Sequence, residues 1–462
     1  MKNNKLKISS LSLSALVCIG AMGVNAGERP EGLSEADIAY VKELIANDGK
    51  DKASDDSDYN DFEFNGYFRT GTNTAVSGGT KNGGSCYALN YPKNDGVYYR
   101  LGNECRDYGE FQFTKKQRIN GLNFKAVWMM DIAGDSRSAT SVEPWSRRSR
   151  QLYIETDNLL DNGKLWMGRR YYRGVAVGDV HILDYFHAQS SGNGVGVTDI
   201  MINDTDKLHV AAIMYGDEGA DVDENGITDE STKFNYQNIM ADVRYEMDIG
   251  NSGKLKFVLQ NLFVNDAYDN IDIADGRTLT VQWEKQLGML EQKTVVQYGM
   301  GSMARNPGSA GTDGGSFEYS ADSSATGFRV FNNGLVKINP KFTVNYMVMY
   351  EKSDDYHTLK SVGVRPQYSL SKYWSILGEL GYNSYQNITD GVENEEQRLI
   401  KYAVALQATA DSTDYWTRPS LRFYVSNFDW NRAAGQQSGL SVPGSDSDES
   451  ALVIGVQAET WF

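Results

Sequence analysis

The chain has 462 residues and a formal net charge of -16, and it is rich in glycine and aromatic residues, with 46 Gly, 28 Tyr, 17 Phe and 8 Trp. A protein this acidic is a poor partner for nucleic acid, because the phosphate backbone repels it. Beyond residue 26 no apolar run approaches the roughly 18 residues that a transmembrane helix needs, so a membrane role would require a β-barrel.

The first 26 residues have the pattern of a secretory signal peptide. Lysines at positions 2, 5 and 7 precede an apolar segment from Leu11 to Val24, and small residues end the segment at Ala26. We therefore expect an exported protein whose mature chain begins at residue 27.

Residues 27–60 differ from the rest of the chain. Ser34 is placed to cap a short helix, which is followed by an acidic linker with no apolar face. One short helix is only marginally stable alone, so two alternatives stay open: a helical, self-associating periplasmic appendage and a disordered segment. In both, the following domain spans residues 61–462.

From residue 61 onward, apolar and polar residues alternate in segments of about ten residues, as in FEFNGYFRTG (62–71). This period is typical of transmembrane β-strands with one lipid-facing side. Eighteen such strands are expected, and they begin near Phe62, Tyr108, Gly121, Arg150, Lys164, Gly194, Lys207, Asn238, Lys254, Thr278, Lys293, Phe328, Lys341, Tyr356, Tyr373, Arg398, Arg418 and Ala451.

Long Gly- and Asp-rich gaps alternate with tight turns between these strands, which predicts an all-β, antiparallel transmembrane barrel. The alternative is a secreted sandwich or propeller, whose strands would be shorter. Only Cys86 and Cys105 remain after signal cleavage. In an oxidising compartment they most simply form one disulfide that closes a surface loop, and two free thiols are the alternative.

The stretch from Lys164 to Phe186 begins as an alternating strand and continues with aromatic residues beside cations and carboxylates. Aromatic faces pack against sugar rings, and charged side chains hydrogen-bond sugar hydroxyls. This combination suits a neutral, polyhydroxylated ligand, and the alternative is a charged surface loop.

Seven segments stand out in the sequence: FNGYFRTG (64–71), YRLGNECRDYGEFQF (99–113), KLWMGRRYY (164–172), DVHILDYF (179–186), VVQYGMGSM (295–303), WTRPSLRFY (416–424) and QAETWF (457–462). They resemble segments of the maltoporin family, the sugar-specific porins of Gram-negative outer membranes. The resemblance implies an eighteen-stranded, homotrimeric barrel in the lipid of the outer membrane, with a third loop folded inward as a constriction. The terminal Trp461-Phe462 pair suits recognition by the barrel-assembly machinery, and the N-terminal segment resembles that of sucrose- and β-glucoside-type relatives.

The resemblance also implies a line of aromatic residues along the lumen, here called the aromatic slide, over which sugar rings pass. Its positions match Tyr67, Tyr108, Trp416 and Trp461. Strand parity puts all four on the polar side, whereas aromatic residues of the membrane interface, the alternative, would face lipid.

Ionisable residues flank the slide in this family and bind the sugar hydroxyls. This polar track matches Arg69, Arg100, Glu110 and Arg150, and the constriction matches Asp179, Asp184 and Phe186, where phenylalanine replaces the family's tyrosine. The cysteine pair matches the family's first-loop disulfide. Arg150 shares parity with Leu152 and Ile154, so it lies above the membrane band or outside the motif.

We therefore expect passive, saturable diffusion of maltodextrin-like oligosaccharides, with no enzymatic activity, cofactor or metal. A general, non-selective porin would lack the aromatic line. A barrel enzyme would need a serine–histidine motif that the sequence does not show. Carboxylates at positions 217, 221, 223 and 224 have the chemistry to bind calcium, but their spacing does not fit an EF-hand, so a solvated loop is expected.

Overall fold

The structure is a computed structural model that describes residues 59–78, 86–89, 99–104, 106–135, 146–173, 188–219, 234–264, 274–305, 307, 309–310, 322–354, 356–389, 391–441, 447 and 449–462. The chain divides into two units, Met1–Asp58 and Tyr59–Phe462. The first unit lies outside the described residues, so the signal peptide and the appendage stay predictions. None of the helices in the described ranges is long and apolar enough to cross a membrane.

Eighteen long strands form one antiparallel sheet. They are β1 (Asp61–Gly78), β2 (Arg106–Ile119), β3 (Leu122–Asp135), β4 (Ser146–Thr156), β5 (Lys164–Tyr172), β6 (Gln189–Met201), β7 (Lys207–Gly219), β8 (Phe234–Asp248), β9 (Lys254–Phe263), β10 (Gly276–Leu287), β11 (Leu290–Gly301), β12 (Thr326–Asn339), β13 (Phe342–Ser353), β14 (His357–Ser369), β15 (Trp374–Thr389), β16 (Gln397–Thr409), β17 (Ser420–Trp430) and β18 (Glu449–Trp461). The described ranges also contain two-residue strands at Ser309–Ala310 and Val392–Glu393, a 3-10 helix at Gly250–Ser252 and one α-helix, α1, at Arg432–Gln437.

Each long strand pairs with its neighbours in sequence, and β18 pairs with β1, so the sheet closes into a barrel. Closure leaves no unpaired strand edge, which is the condition for crossing a membrane with strands. The predicted barrel of eighteen strands is confirmed. The largest difference between an expected and an observed start is five residues, at β6, which begins at Gln189 instead of Gly194.

The two faces of the barrel wall differ in chemistry, as the alternation predicts. On β14, Val362 and Val364 are 44% and 37% exposed, whereas Ser361 and Arg365 on the other face are buried. Around the wall, large apolar side chains are exposed on the outer face, whereas the inner side has most of the buried polar side chains together with two clusters of buried apolar ones. Lipid can therefore solvate the outer face, while the inner face carries the groups that a solute meets.

Part of the first long loop lies inside the barrel. The Tyr99 ring packs against Gly363 and Gly381 on the inner wall, where a Cβ atom on either glycine would lie 2.0 Å from the ring. The hydroxyl oxygens of Tyr99 and Ser361 are 2.8 Å apart. Because any side chain at either glycine would occupy the space of the ring, the two glycines create its binding pocket.

A buried group of charges anchors the same loop. Lys401 Nζ donates to the backbone oxygens of Tyr99 at 2.7 Å and Leu101 at 2.5 Å. Glu379 accepts from the Leu101 N–H at 3.0 Å, pairs with Arg365 at 2.6 Å and also pairs with Lys401. Each charge has a hydrogen-bonded partner, which offsets the cost of removing it from water. The paired charges therefore hold the loop in the lumen.

The third loop, residues 174–187, lies outside the described residues, so its inward fold stays a prediction. Pro307 lies in the connection after β11, and its backbone oxygen accepts from Arg329 Nη1 of β12 at 2.5 Å. Arg329 also pairs with Glu351 on β13 at 2.7 Å. This part of the connection therefore contacts the inner wall.

Cys86 is disulfide-bonded. Cys105 lies outside the described residues, so the pairing itself stays a prediction. Two further bonds hold the loop at this point, because the Tyr87 N–H donates to Asn103 Oδ1 at 2.9 Å and Asn103 Nδ2 donates to the Tyr87 oxygen at 2.8 Å.

Changing Cys86→Ser is expected to leave the barrel folded. The disulfide of a loop of roughly twenty residues contributes about 3 kcal/mol in the chain-entropy model, but the barrel is held by its closed ladder of strand hydrogen bonds. The measurement is electrophoretic migration of unheated and heated protein, which separates folded from unfolded barrels. Loss of the folded band in the variant would contradict the prediction.

Candidate functional site

Three of the four predicted slide residues lie side by side on the inner wall, where β18, β1 and β2 meet. Tyr67 stands directly opposite Trp461 on β18 and Glu110 on β2. The ring centroids of Tyr67 and Tyr108 are 6.3 Å apart. Since directly opposed residues of a sheet share a face, the three rings form one aromatic patch in the lumen.

Trp416 lies outside this row. It belongs to the turn between β16 and β17, and its ring meets that of Tyr415 at 4.9 Å and an interplanar angle of 83°. Alternation in the sequence predicts a strand parity for Trp416, but β17 begins only at Ser420. Parity therefore does not apply to Trp416, and its half-buried position depends on the turn.

The patch is organised by Glu459, a carboxylate of the QAETWF segment (457–462) to which the sequence assigned no role. Glu459 Oε1 accepts from the Tyr67 hydroxyl at 3.1 Å, and its Oε2 pairs with Arg418 at 2.9 Å and Arg422 at 3.0 Å. The guanidinium of Arg418 lies 4.2 Å from the centroid of the Trp461 ring. Glu459 thus positions the Tyr67 hydroxyl by a direct hydrogen bond, and it holds the Arg418 guanidinium against the Trp461 ring.

A second carboxylate, Glu104 of the first loop, joins two residues of the polar track. It accepts from Arg69 at 3.0 Å and from Arg100 Nε at 2.7 Å, and the Gln457 amide also donates to it. Burial disfavours its charge, but the guanidinium groups of Arg100 and Arg69 outweigh burial and hold the pKa of Glu104 below its usual range. Arg100 Nη2 also donates to the Tyr67 hydroxyl at 3.3 Å, so the polar track and the patch are directly bonded.

Tyr108 connects the patch to Glu110. Its hydroxyl donates to Glu110 Oε1 at 2.5 Å, and the Arg69 guanidinium lies 5.4 Å from its ring centroid. Arg69, Arg100 and Glu110 therefore border the aromatic rings, and the patch presents flat apolar faces next to charged hydrogen-bonding groups.

Arg150 lies inside the barrel because of a β-bulge. The register between β3 and β4 shifts between Met129 and Met130, and the extra residue on β4 reverses the alternation of side chains. Arg150 is 6% exposed and pairs with Asp131 at 2.6 Å. The bulge thus explains why Arg150 faces the lumen although it shares sequence parity with Leu152 and Ile154, which strand alternation alone cannot explain.

Most of the remaining predicted site residues lie outside the ranges that the structure describes. Asp179, Asp184 and Phe186 lie outside the described residues, so the constriction stays a prediction. Of the four carboxylates with calcium-binding chemistry, Asp217 is on β7 and the other three lie outside the described residues.

Comparisons with known proteins agree with this architecture. A family model described as LamB porin matches residues 62–462. The maltoporin of Vibrio cholerae serotype O1, strain N16961, is 26% identical over 435 residues, which cover 87% of this chain and 94% of the relative. The maltoporin of the O395 strain matches to the same extent.

Among solved structures, the outer membrane channel DcaP of Acinetobacter baumannii has a similar fold, with a TM-score of 0.51 and 13% identity. The match covers 89% of this chain and 100% of that one. Together with the closed barrel and the apolar outer face, the family match over residues 62–462 confirms the predicted location and class. The chain belongs to the LamB porin family, the sugar-specific porins of the Gram-negative outer membrane, and is a channel, not an enzyme.

Proposed function

We propose that this porin carries oligosaccharides of the maltodextrin type by passive, saturable diffusion, and that Tyr67, Tyr108 and Trp461 form its aromatic slide. The observation that supports this most directly is the aromatic patch on the inner wall, where the rings of Tyr67 and Tyr108 are 6.3 Å apart and Trp461 stands directly opposite Tyr67. A pyranose ring exposes an apolar face of C–H groups and a rim of hydroxyls, which the rings and the bordering charges complement.

The polar track of Arg69, Arg100, Glu110 and Arg150 has the role of exchanging hydrogen bonds with the sugar hydroxyls. Several weak, successive contacts allow exit as well as entry, which conduction requires. Trp416 extends the slide at the turn, and Asp179, Asp184 and Phe186 form the constriction. We further infer a homotrimer, inserted in outer-membrane lipid by the barrel-assembly machinery.

Changing Trp461→Ala tests the slide. We expect sugar block of the ion current to weaken by roughly 1 to 2 kcal/mol, a loss typical of one aromatic contact, while open-pore conductance changes little because ions do not need the ring. The measurement is a titration of single-channel current with maltotriose in planar bilayers.

The matched control is Phe423→Ala on β17, whose ring is 57% exposed on the outer face. It removes an aromatic residue from the same part of the barrel without touching the lumen, so sugar block should be unchanged. The proposal fails if Trp461→Ala has no effect on the titration, or if the wild-type current is insensitive to sugar, as in a general porin.

A further inference from the structure

A repeated arrangement of charges lines the lumen beside the aromatic patch. Asp131 pairs with two arginines, Arg148 at 3.3 Å and Arg150 at 2.6 Å. The Asp131 side chain is 0% exposed, whereas that of Arg148 is 50% exposed. The carboxylate is therefore covered by its cations, and an entering solute meets Arg148.

The same arrangement recurs on the next strands. Glu155 pairs with Arg170 at 3.0 Å and also with Lys125, and the exposed fractions are 7% for the glutamate, 19% for the arginine and 26% for the lysine. In the candidate site, Glu104 is 2% exposed beneath Arg69 and Arg100, which are 18% and 17% exposed. Each of these carboxylates neutralises part of the charge of two cations and is itself hidden from the lumen.

Strand register joins these pairs to the aromatic patch. Tyr67 stands opposite Glu110, Glu110 stands opposite Asp131, and Asp131 stands opposite Arg148. One row across β1 to β4 thus leads from an aromatic ring to the most exposed of these arginines. We call Arg69, Arg100, Lys125, Arg148 and Arg170 the cationic wall.

The charge balance of this part of the lumen is positive. Within the described residues its ion pairs and hydrogen-bonded groups contain nine cations: Arg69, Arg100, Lys116, Lys125, Arg148, Arg150, Arg170, Arg418 and Arg422. They contain six carboxylates: Glu63, Glu104, Glu110, Asp131, Glu155 and Glu459. Of these, Glu110 is half-buried, and it accepts the Tyr108 hydroxyl. The chain as a whole has a formal net charge of -16, so the positive balance is a local property.

We propose that the cationic wall binds the acidic group of an oligosaccharide, so that the channel prefers oligosaccharides that carry carboxylates over neutral ones of equal length. This inference rests on the proposed sugar-channel function. The aromatic patch would hold the sugar ring, and Arg148 on the same row, with the other guanidinium groups of the cationic wall beside it, would pair with the carboxylate, for which their planar donors are well matched. A positively charged wall also raises the local concentration of anions.

The experiment compares tri-galacturonate with its methyl ester, which has the same ring stereochemistry but no charge, in planar bilayers at low salt. We expect the acid to block the wild-type channel about fivefold or more tightly than the ester, and the difference to shrink as salt rises. We expect each of Arg148→Gln and Arg170→Gln to weaken block by the acid about three- to fivefold, the effect of one partly screened charge, and to leave the ester unchanged.

Lys352→Gln is the matched control, since it removes an exposed cation from the outer face of β13 and should change neither titration. Equal block by acid and ester would overturn the inference and leave the proposed function standing, as would arginine variants that weaken both sugars equally. If neither of these sugars nor maltotriose blocks the current, both proposals fall. A reversal potential in a KCl gradient that shows cation preference would also overturn the inference.

Discussion

Replacing Gly363 with valine is expected to expel the Tyr99 ring from the inner wall and to raise the single-channel conductance. A Cβ atom at this position would lie 2.0 Å from the ring, and overpacking of this kind costs about 1–3 kcal/mol. The loop can relieve the clash by detaching, whereas the wall is fixed by its hydrogen bonds to both neighbouring strands. The loop would then vacate part of the lumen.

Sugar block should weaken in the same variant, because Arg100 and Glu104 are on the loop that Tyr99 anchors. The control is Gly378→Ala on β15, where an added Cβ would meet the nearest atom, on Pro366, at 3.3 Å and no loop residue. Its conductance and sugar titration should match the wild type. An unchanged conductance in Gly363→Val would show that Tyr99 does not hold the loop in the pore.

The second large effect is expected from Glu459→Gln, which keeps the shape of the side chain and removes its charge. The side chains of Arg418 and Arg422 are only 1% and 3% exposed, so the substitution leaves two cations buried without their shared carboxylate. Loss of one partner of a buried ion pair costs about 3–5 kcal/mol. We expect a lower unfolding midpoint in denaturant titrations.

The same change should weaken sugar block about tenfold or more, because Tyr67 and Arg418 both depend on Glu459 for their position. Glu291→Gln is the control, since Glu291 is 43% exposed and pairs with Lys337, which is 53% exposed, and such surface pairs contribute about 0–1 kcal/mol. If Glu459→Gln behaves like this control in both measurements, the carboxylate does not organise the patch.

The sequence alone determined the barrel: its strand number, the approximate starts of the strands and the face that side chains take in strands without a bulge. Alternation with a period of two is a local property of a strand, so it can be read without knowing which strands pair. It assigned Tyr67, Tyr108 and Trp461 to the polar face, and in the described strands these residues share a face with Arg69, Glu110 and Glu459.

Only the tertiary structure decided how the site is assembled. The bulge that turns Arg150 inward depends on the register between β3 and β4. Strand parity does not apply to Trp416, because that residue lies in a turn. The Tyr99 hydroxyl lies against that of Ser361, 262 residues away in sequence. Glu104 pairs with Arg69 on β1, and Glu459 on β18 pairs with Arg418 and Arg422 beside it. Such contacts join residues that are distant in sequence, and local alternation contains no information about them. The hidden carboxylates and the exposed cations of the lumen therefore appear only once the barrel is closed.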